Sequence, residues 1–276
     1  MRLVGSIALP SWRPGRRTPR GGWRAAPRHH DEYLAQYAVP ADVLPERDLR
    51  GAYAELFVAH EGRLVDKWLH YLEVYDRHLA AVRGGMPQAG GGTRPLRLLE
   101  IGVFQGGSLE LWRRYLGPEA RITGVDIDPR CARFDREHAA VRIGSQDDPA
   151  FLRRTVQEMG GVDVVIDDGS HVARHQRVSF ATLFPLLSDG GLYIVEDLHA
   201  AYWAPFGGGV RRKGTFIEVA KDLVDGMHAW YYPSRRLDLR QAKEQVFAVS
   251  FYDSMAVIEK RLRRAPETVR KGTPSW

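Results

Sequence analysis

Cysteine is almost absent from this sequence, which has 276 residues and a single cysteine, Cys131. A disulfide framework and any metal site built from several cysteines are therefore excluded. The sequence also has no uninterrupted apolar run close to the roughly 18 residues that a membrane-spanning helix requires. We accordingly expect no membrane span and a reducing compartment, the cytoplasm.

Acidic residues are missing from the first 30 positions, which contain seven arginines and no lysine. The formal net charge of +6 is therefore concentrated at the chain ends, because residues 31–258 contain 27 basic and 32 acidic side chains. Such a distribution does not favour a nucleic-acid groove on the folded body. We predict a flexible basic arm over residues 1–45, one domain over residues 46–262 and a basic tail over residues 263–276.

Periodic patterns begin after residue 45. Apolar side chains from Trp68 to Leu79 recur at helical spacing, which predicts a helix over Leu64–Val82. Further along, short β-branched runs alternate with amphipathic segments. The predicted strands are Arg97–Ile101, Ile122–Asp126, Val141–Ile143, Val162–Asp167 and Leu192–Glu196, and the predicted helices lie near Gly107–Leu116, Pro129–Glu137, Asp148–Met159, Arg174–Leu187 and Thr215–Trp230.

This alternation predicts an α/β fold, since parallel strands need crossover connections that helices usually provide. Two later extended runs, Val246–Phe251 and Met255–Lys260, are separated by three residues and predict an antiparallel hairpin. The expected fold class is a Rossmann-like sheet, mostly parallel with a C-terminal antiparallel hairpin and with helices on both faces.

A glycine-containing turn follows the first predicted strand and leads directly into a helix. Glycines at such a turn let the backbone approach a ligand closely, and the helix N-terminus presents free N–H groups. The spacing Gly-x-x-x-Gly-Gly differs from the dinucleotide fingerprint, and a turn without a ligand is the alternative. The candidate cofactor-binding residues at this turn are Glu100, Gly102, Gln105, Gly106 and Ser108.

The ends of the next strands supply further cofactor candidates. Asp126 ends the second strand 20 residues beyond Gly106, where nucleotide-binding α/β folds place the acid that binds the ribose hydroxyls. Asp128 is instead suited to cap the segment that begins at Pro129. Gln146 follows the third strand and could reach an adenine edge, while the neighbouring aspartates are equally suited to capping a helix.

Two acidic pairs follow the fourth and fifth predicted strands. Asp167 and Asp168 end one strand, and Glu196 and Asp197 end the next, so all four carboxylates are expected at one edge of the sheet. Four adjacent carboxylates repel one another unless a cation or protons intervene. Oxygen ligands without clustered His or Cys favour Mg²⁺ or Mn²⁺ over Zn²⁺. The alternative is that Asp167 and Asp197 cap helices or accept backbone N–H bonds.

His171 lies three residues beyond Asp168 and is expected in the same pocket. An imidazole is suited to accepting a hydroxyl proton near neutral pH, and a divalent cation would make that hydroxyl more acidic. We therefore predict that His171 is a general base.

The sequence resembles class I S-adenosylmethionine-dependent methyltransferases, and among them the metal-dependent sugar O-methyltransferases of macrolide biosynthesis, the mycinamicin and tylosin tailoring type. The resemblance rests on Asp66-Lys67-Trp68, His70-Tyr71, the turn Glu100–Ser108, Asp167-Asp168-Gly169-Ser170-His171, Glu196-Asp197 and Tyr202-Trp203.

This resemblance implies S-adenosylmethionine as cofactor, with Asp167 among the residues at its site. It also implies Mg²⁺ or Mn²⁺ held by Asp168, Glu196 and Asp197, with His171 as the base. The implied acceptor is a hydroxyl of a sugar or another diol-containing small molecule, such as a glycoside. The family's additional N-terminal domain is not recognisable in this sequence, so its acceptor and assembly do not transfer directly, and a homo-oligomer is one option.

Two other interpretations stay open at this point. A nicotinamide-dependent oxidoreductase on a related fold is disfavoured by the glycine spacing and by the absence of a Tyr-x-x-x-Lys pair near the site. A hydroxylase-like or non-catalytic relative that keeps the fold for binding is disfavoured by the acids and His171, since a binding scaffold gains nothing from clustered carboxylates.

Overall fold

The computed structural model describes residues 37–39, 49–88, 90–232, 242–273 and 275. Most of the predicted basic arm, residues 1–45, lies outside the described residues. The described part of the predicted tail, residues 263–273, contains no helix or strand. The domain boundaries predicted from the sequence stay a prediction.

A seven-stranded sheet forms the centre of the structure. Its strands are β1 (Arg97–Ile101), β2 (Arg121–Asp126), β3 (Ala140–Ile143), β4 (Val162–Asp167), β5 (Leu187–Val195), β6 (Val246–Tyr252) and β7 (Met255–Lys260), and a separate short ribbon pairs Met86–Pro87 with Thr93–Arg94. The order across the sheet is β3-β2-β1-β4-β5-β7-β6. Strands β1 to β5 pair in parallel, whereas β7 pairs antiparallel with both β5 and β6. The predicted parallel sheet and terminal hairpin are therefore confirmed.

Helices cover both faces of this sheet. They are α1 (Ala52–Val58), α2 (Leu69–Leu79), α3 (Gly107–Leu116), α4 (Pro149–Met159), α5 (Ala173–Leu183) and α6 (Phe216–Met227). On β1, Leu98 packs in the core shared with α1, α2 and α3, and Leu99 packs in the core shared with α4, α5 and α6. Adjacent residues of a strand face opposite sides, so both faces of the sheet are buried. None of the described helices is long and apolar enough to cross a bilayer.

Two predicted helices differ from the observed elements. The helix predicted over Leu64–Val82 begins only at Leu69, because residues 60–68 run as an irregular segment with Trp68 in an extended conformation. The segment predicted as a helix over Pro129–Glu137 is a 3-10 helix over Pro129–Phe134. Its start was predicted correctly, since the Asp128 carboxylate accepts the backbone N–H of Arg130 at 2.8 Å.

The amino end of the sheet is held by a buried ion-pair network. Asp163, near the start of β4, accepts two hydrogen bonds from the Arg94 guanidinium at 2.7 and 2.6 Å, and Arg97 donates to the same carboxylate. Burial opposes the charged form, but these donors outweigh it and hold the pKa of Asp163 well below its usual value. This network fixes the end of the sheet opposite to the edge that carries the acidic pairs.

Candidate active site

The turn after β1 is braced from beneath by Glu100. Its carboxylate is fully buried and accepts hydrogen bonds from the Ser108 hydroxyl at 2.7 Å and from the Trp112 indole at 3.0 Å. Burial raises the pKa of Glu100 to about 7, even though Lys67 and the two donors act in the opposite direction. The enclosed Glu100 carboxylate fixes α3 to the strand, and its part in cofactor binding stays a prediction.

Glycine is needed at two positions of this turn. Gly102 has φ +99°, and a Cβ atom there would collide with the backbone carbonyl of Asp168. Gly106 has φ +81° and occupies the N-cap position of α3, against the ring of Phe134. Both positions lie in the region of φ that glycine tolerates best. Gln105, between them, is exposed at the tip of the turn.

Asp126 at the end of β2 also holds the turn. Its carboxylate accepts the backbone N–H groups of Val103 at 2.8 Å and Phe104 at 3.1 Å, and its other oxygen accepts the N–H of Asp128 at 2.9 Å. The side chain is only partly buried and faces the same turn as Gly102. The position agrees with a ribose-binding role, which stays a prediction.

Gln146 and Asp167 form a buried polar link beneath the acidic edge. The Gln146 amide donates to Asp167 at 3.0 Å and accepts the backbone N–H of Ser170 at 2.7 Å. Asp167 is fully buried and also accepts the hydroxyls of Ser179 at 2.5 Å and Tyr193 at 2.8 Å. Burial raises the pKa of Asp167 to about 6. The oxygens of Asp167 are enclosed by protein donors, and its predicted place at the cofactor site stays a prediction.

Two of the other three carboxylates, Asp168 and Glu196, lie around the ammonium group of Lys67. Its Nζ contacts Oδ2 of Asp168 and lies 2.7 Å from Oε2 of Glu196. Burial alone would lower the pKa of Lys67, but the two carboxylates outweigh it and hold the pKa well above its usual value. The ammonium charge therefore offsets part of the repulsion expected between the two acids.

Helix α2 supplies neutral donors to the same carboxylates. The hydroxyl of Tyr75 donates to Glu196 at 2.5 Å, and the hydroxyl of Tyr71 donates to Asp197 at 2.8 Å. The indole N–H of Trp68, just before the helix, lies 3.2 Å from Asp197. Both tyrosines belong to α2 and Trp68 immediately precedes it, so this one stretch of chain orients both acids after β5.

Asp168, His171 and Asp197 converge on one point. Each offers one ligand atom, and these atoms lie within 4.8 Å of one another, with His171 Nε2 at 3.8 Å from Asp197 Oδ2. His171 and Asp197 have φ values of 56° and 55°, a conformation that non-glycine residues rarely adopt and that is frequent at functional sites. The donor set fits a divalent cation such as Mg²⁺ or Mn²⁺. Glu196 is not in this convergent group of the described residues.

The two adjacent aromatic residues Tyr202 and Trp203 lie in different environments. The ring of Trp203 lies 4.8 Å from that of His199 and 5.8 Å from that of Phe206, centroid to centroid. Tyr202 is about half exposed, with 50% of its surface accessible. Trp203 therefore packs within the loop, and Tyr202 keeps a face for a ligand.

Sequence reasoning gave no role to Lys67, Tyr71 or Tyr75. Helical spacing placed both tyrosines on one face, but periodicity treats a tyrosine as an apolar residue and does not show where its hydroxyl points. Lys67 was noted only as part of the family resemblance. A buried lysine needs a carboxylate partner, and that rule could have connected it with the acidic pairs.

Comparison with known proteins agrees with this architecture. Residues 99–198 match the family model described as "Methyltransferase domain". The chain is 38% identical over 222 residues to a tetracenomycin-C rhamnosyl 3'-O-methyltransferase from Streptomyces olivaceus, covering 76% of this chain and 54% of that protein. It is 37% identical over 258 residues to a tetracenomycin-C rhamnosyl 2'-O-methyltransferase of the same organism, covering 85% and 63%.

A solved structure shows the same fold. MycE methyltransferase from the mycinamycin biosynthetic pathway, in complex with Mg, SAH and mycinamycin VI, is 34% identical with a TM-score of 0.62, covering 75% of this chain and 51% of that chain. Residues 99–198 therefore match a methyltransferase domain, and the fold is similar to that of MycE methyltransferase. The chain is similar to sugar O-methyltransferases that act on macrolides and related glycosides, and it spans between half and two thirds of the length of these relatives.

Proposed function

We propose that the protein is an S-adenosylmethionine-dependent O-methyltransferase that methylates a hydroxyl of a sugar attached to a small molecule. The observation that carries the proposal is the convergence of Asp168, His171 and Asp197 at the carboxyl ends of β4 and β5. Open α/β sheets bind their ligands at this edge. The names of the similar proteins add support, since each describes methyl transfer to a sugar oxygen.

The cofactor would bind over the turn after β1. Gly102 and Gly106 let the backbone approach it, and the N-terminus of α3, with Ser108 in its first turn, offers N–H groups. Asp126 would accept the ribose hydroxyls, and Gln105 at the exposed tip would cover the bound molecule. Gln146 would lie on the adenine side, where its contact with the backbone N–H of Ser170 would hold the loop after β4 in place. Bound S-adenosylmethionine supplies an electrophilic methyl group on a sulfonium.

The metal site would be formed by Asp168 and Asp197, with Glu196 as the third carboxylate. A divalent cation there supplies positive charge beside the acceptor oxygen. Tyr71 and Trp68 keep Asp197 in place, because both donate to its Oδ1 and leave Oδ2 directed towards His171. The acceptor would be oriented by two adjacent oxygens, as a vicinal diol allows, with Tyr202 beside the sugar ring.

His171 would accept the proton of the acceptor hydroxyl. As that O–H bond breaks, the oxygen forms a bond to the methyl carbon and the carbon–sulfur bond breaks, so the electron pair leaves with sulfur and the proton stays on the imidazole. Asp197, 3.8 Å from Nε2, would stabilise the imidazolium that results. Holding the reacting atoms in line would supply much of the rate enhancement.

The first test is calorimetric titration of the protein with S-adenosylmethionine, with NADH titrated under the same conditions. We expect S-adenosylmethionine alone to bind, and binding of NADH alone would overturn the proposal. Methyl transfer would then be measured with labelled cofactor on a panel of deoxysugar glycosides, with Mg²⁺ and with EDTA. The proposal expects small-molecule acceptors and no nucleic acid, and light scattering would give the oligomeric state.

His171→Ala should abolish turnover and leave S-adenosylmethionine binding unchanged, because the base acts on the acceptor and not on the cofactor. His228→Ala is the matched control, since His228 lies exposed after α6 and its ring, among the described side-chain hydrogen bonds, contacts only the carbonyl of Val224. A His171→Ala protein that keeps its turnover would show that another group takes the proton.

A further inference from the structure

Lys67 lies between two of the carboxylates that the proposed function assigns to the metal. Its side chain is 3% exposed, and its ammonium contacts Asp168 Oδ2 and lies 2.7 Å from Glu196 Oε2. The mechanism proposed above uses no ammonium group at this position. A buried lysine at this point therefore needs a separate explanation.

We infer that Lys67 is an internal competitor for the divalent cation: it neutralises Asp168 and Glu196 in the metal-free protein and must release Glu196 before that carboxylate can bind a metal. This inference rests on the proposed function. It assigns to Lys67 the control of how tightly the site binds Mg²⁺ or Mn²⁺.

The hydrogen bonds of Glu196 carry the first step of the argument. Its residue surface is 1% exposed, Oε1 accepts the Tyr75 hydroxyl at 2.5 Å and Oε2 accepts the Lys67 ammonium. Both oxygens are thus engaged by protein donors. The convergent ligand group, by contrast, consists of Asp168, His171 and Asp197.

The charges supply the second step. Asp168, Glu196 and Asp197 would together carry three negative charges, and the Lys67 ammonium offsets part of that charge through its contacts with Asp168 and Glu196. One ammonium and one dication attract the same oxygens and repel each other at short range. Removing the ammonium should therefore strengthen metal binding.

The backbone around Lys67 allows it to withdraw. Residues 60–68 form neither helix nor strand, so a shift of Lys67 breaks no regular hydrogen-bond ladder. The segment is held instead by side chains, with Arg63 bound to Glu110 at 3.0 Å and Trp68 Nε1 at 3.2 Å from Asp197. Release of the ammonium would need only local movement before α2 begins.

The test compares metal binding by the wild type and Lys67→Met, with Mn²⁺ followed by electron paramagnetic resonance and Mg²⁺ by calorimetry. We expect Lys67→Met to bind Mn²⁺ at least about tenfold more tightly, which corresponds to an ordinary coupling between neighbouring charges. In a Glu196→Gln background the same substitution should give a smaller gain, because only the competition of Lys67 for Asp168 then remains. Lys221→Met, at an exposed lysine paired with Glu218, is the control.

Unchanged or weaker Mn²⁺ binding by a folded Lys67→Met protein would overturn the inference, because a lysine that only positions the acids would produce that result. Binding by the variant alone would support it. If Lys67→Met does not fold, Lys67→Gln should show the same gain. Absence of Mn²⁺ binding by every variant would overturn the inference, and S-adenosylmethionine titration of the same samples would show separately whether the methyltransferase proposal survives.

Discussion

Replacement of Glu100 by glutamine should change the stability of the protein in a pH-dependent way. The carboxylate is fully buried beneath the cofactor turn, and burial raises its pKa from 4.5 to about 7. An acid whose pKa is raised by folding binds its proton more tightly in the folded state. The folded protein therefore loses stability as the pH rises from about 4.5 to about 7, and no further loss occurs above that range.

The size of the effect follows from the shift. One pKa unit corresponds to about 1.4 kcal/mol, so ionisation of Glu100 costs the folded state about 3 kcal/mol at most. A glutamine keeps an oxygen that can accept from Ser108 or Trp112 and cannot ionise. The free energy of unfolding of Glu100→Gln, relative to the wild type, should therefore improve by about 2 to 3 kcal/mol between about pH 5 and pH 8.5.

Urea denaturation at the two pH values measures this difference. Asp167, whose pKa is about 6, titrates in both proteins and cancels in the comparison. Glu119→Gln, at an exposed glutamate, is the matched control and should show no such trend. A stability difference between wild type and Glu100→Gln that stays constant with pH would refute the reasoning about burial at this position.

Two further substitutions test the frame around the site. Gly102→Ala should lower the free energy of unfolding by at least about 2 kcal/mol, because it forces an alanine into φ +99° and against the Asp168 carbonyl. Gly117→Ala is the control, since Gly117 has φ +88° with open space around it and should lose less stability. Equal losses of stability in thermal unfolding would show that the collision with the Asp168 carbonyl contributes nothing. Asp163→Asn should cost about 2 to 3 kcal/mol at neutral pH, because it breaks a buried pair with two arginines. The pKa of Asp163 is lowered by folding, so its contribution is present above the usual aspartate pKa and is lost as the pH falls. The difference in free energy of unfolding between wild type and Asp163→Asn, measured by urea denaturation, should therefore decrease at acidic pH. A difference that increases at acidic pH would contradict this account.

The fold was predictable where local patterns and packing agree. β-branched runs such as Val162–Asp167 became buried central strands, and the aspartate before Pro149 capped its helix as the sequence allowed. Prediction failed where tertiary contacts determine the local backbone conformation. Residues 64–68 are included in the predicted helix, yet they are irregular, and Lys67 and Trp68 bind carboxylates that lie more than one hundred positions away in the chain.

The candidate site was likewise predictable in its location and not in the role of each acid. Strand ends bring Asp168 and Asp197 together as topology predicts, since β4 and β5 are parallel neighbours. The sequence did not separate acids that face the pocket from acids that brace it. Asp167 and Asp168 are adjacent residues, but alternation at the strand end buries one beneath Tyr193 and directs the other towards Lys67.

This alternation also explains why each acidic pair combines two roles. In the first pair Asp167 is enclosed by neutral donors and Asp168 meets His171 and Asp197. In the second pair Glu196 is held by Tyr75 and Lys67, whereas Asp197 reaches the convergent group. One acid of each pair thus fixes the strand end, and the other is available for chemistry. A divalent cation that binds Glu196 would have to displace the Lys67 ammonium from that carboxylate. The affinity of the Lys67→Met protein for Mn²⁺, compared with that of the wild type, therefore measures how strongly Lys67 stabilises the metal-free arrangement.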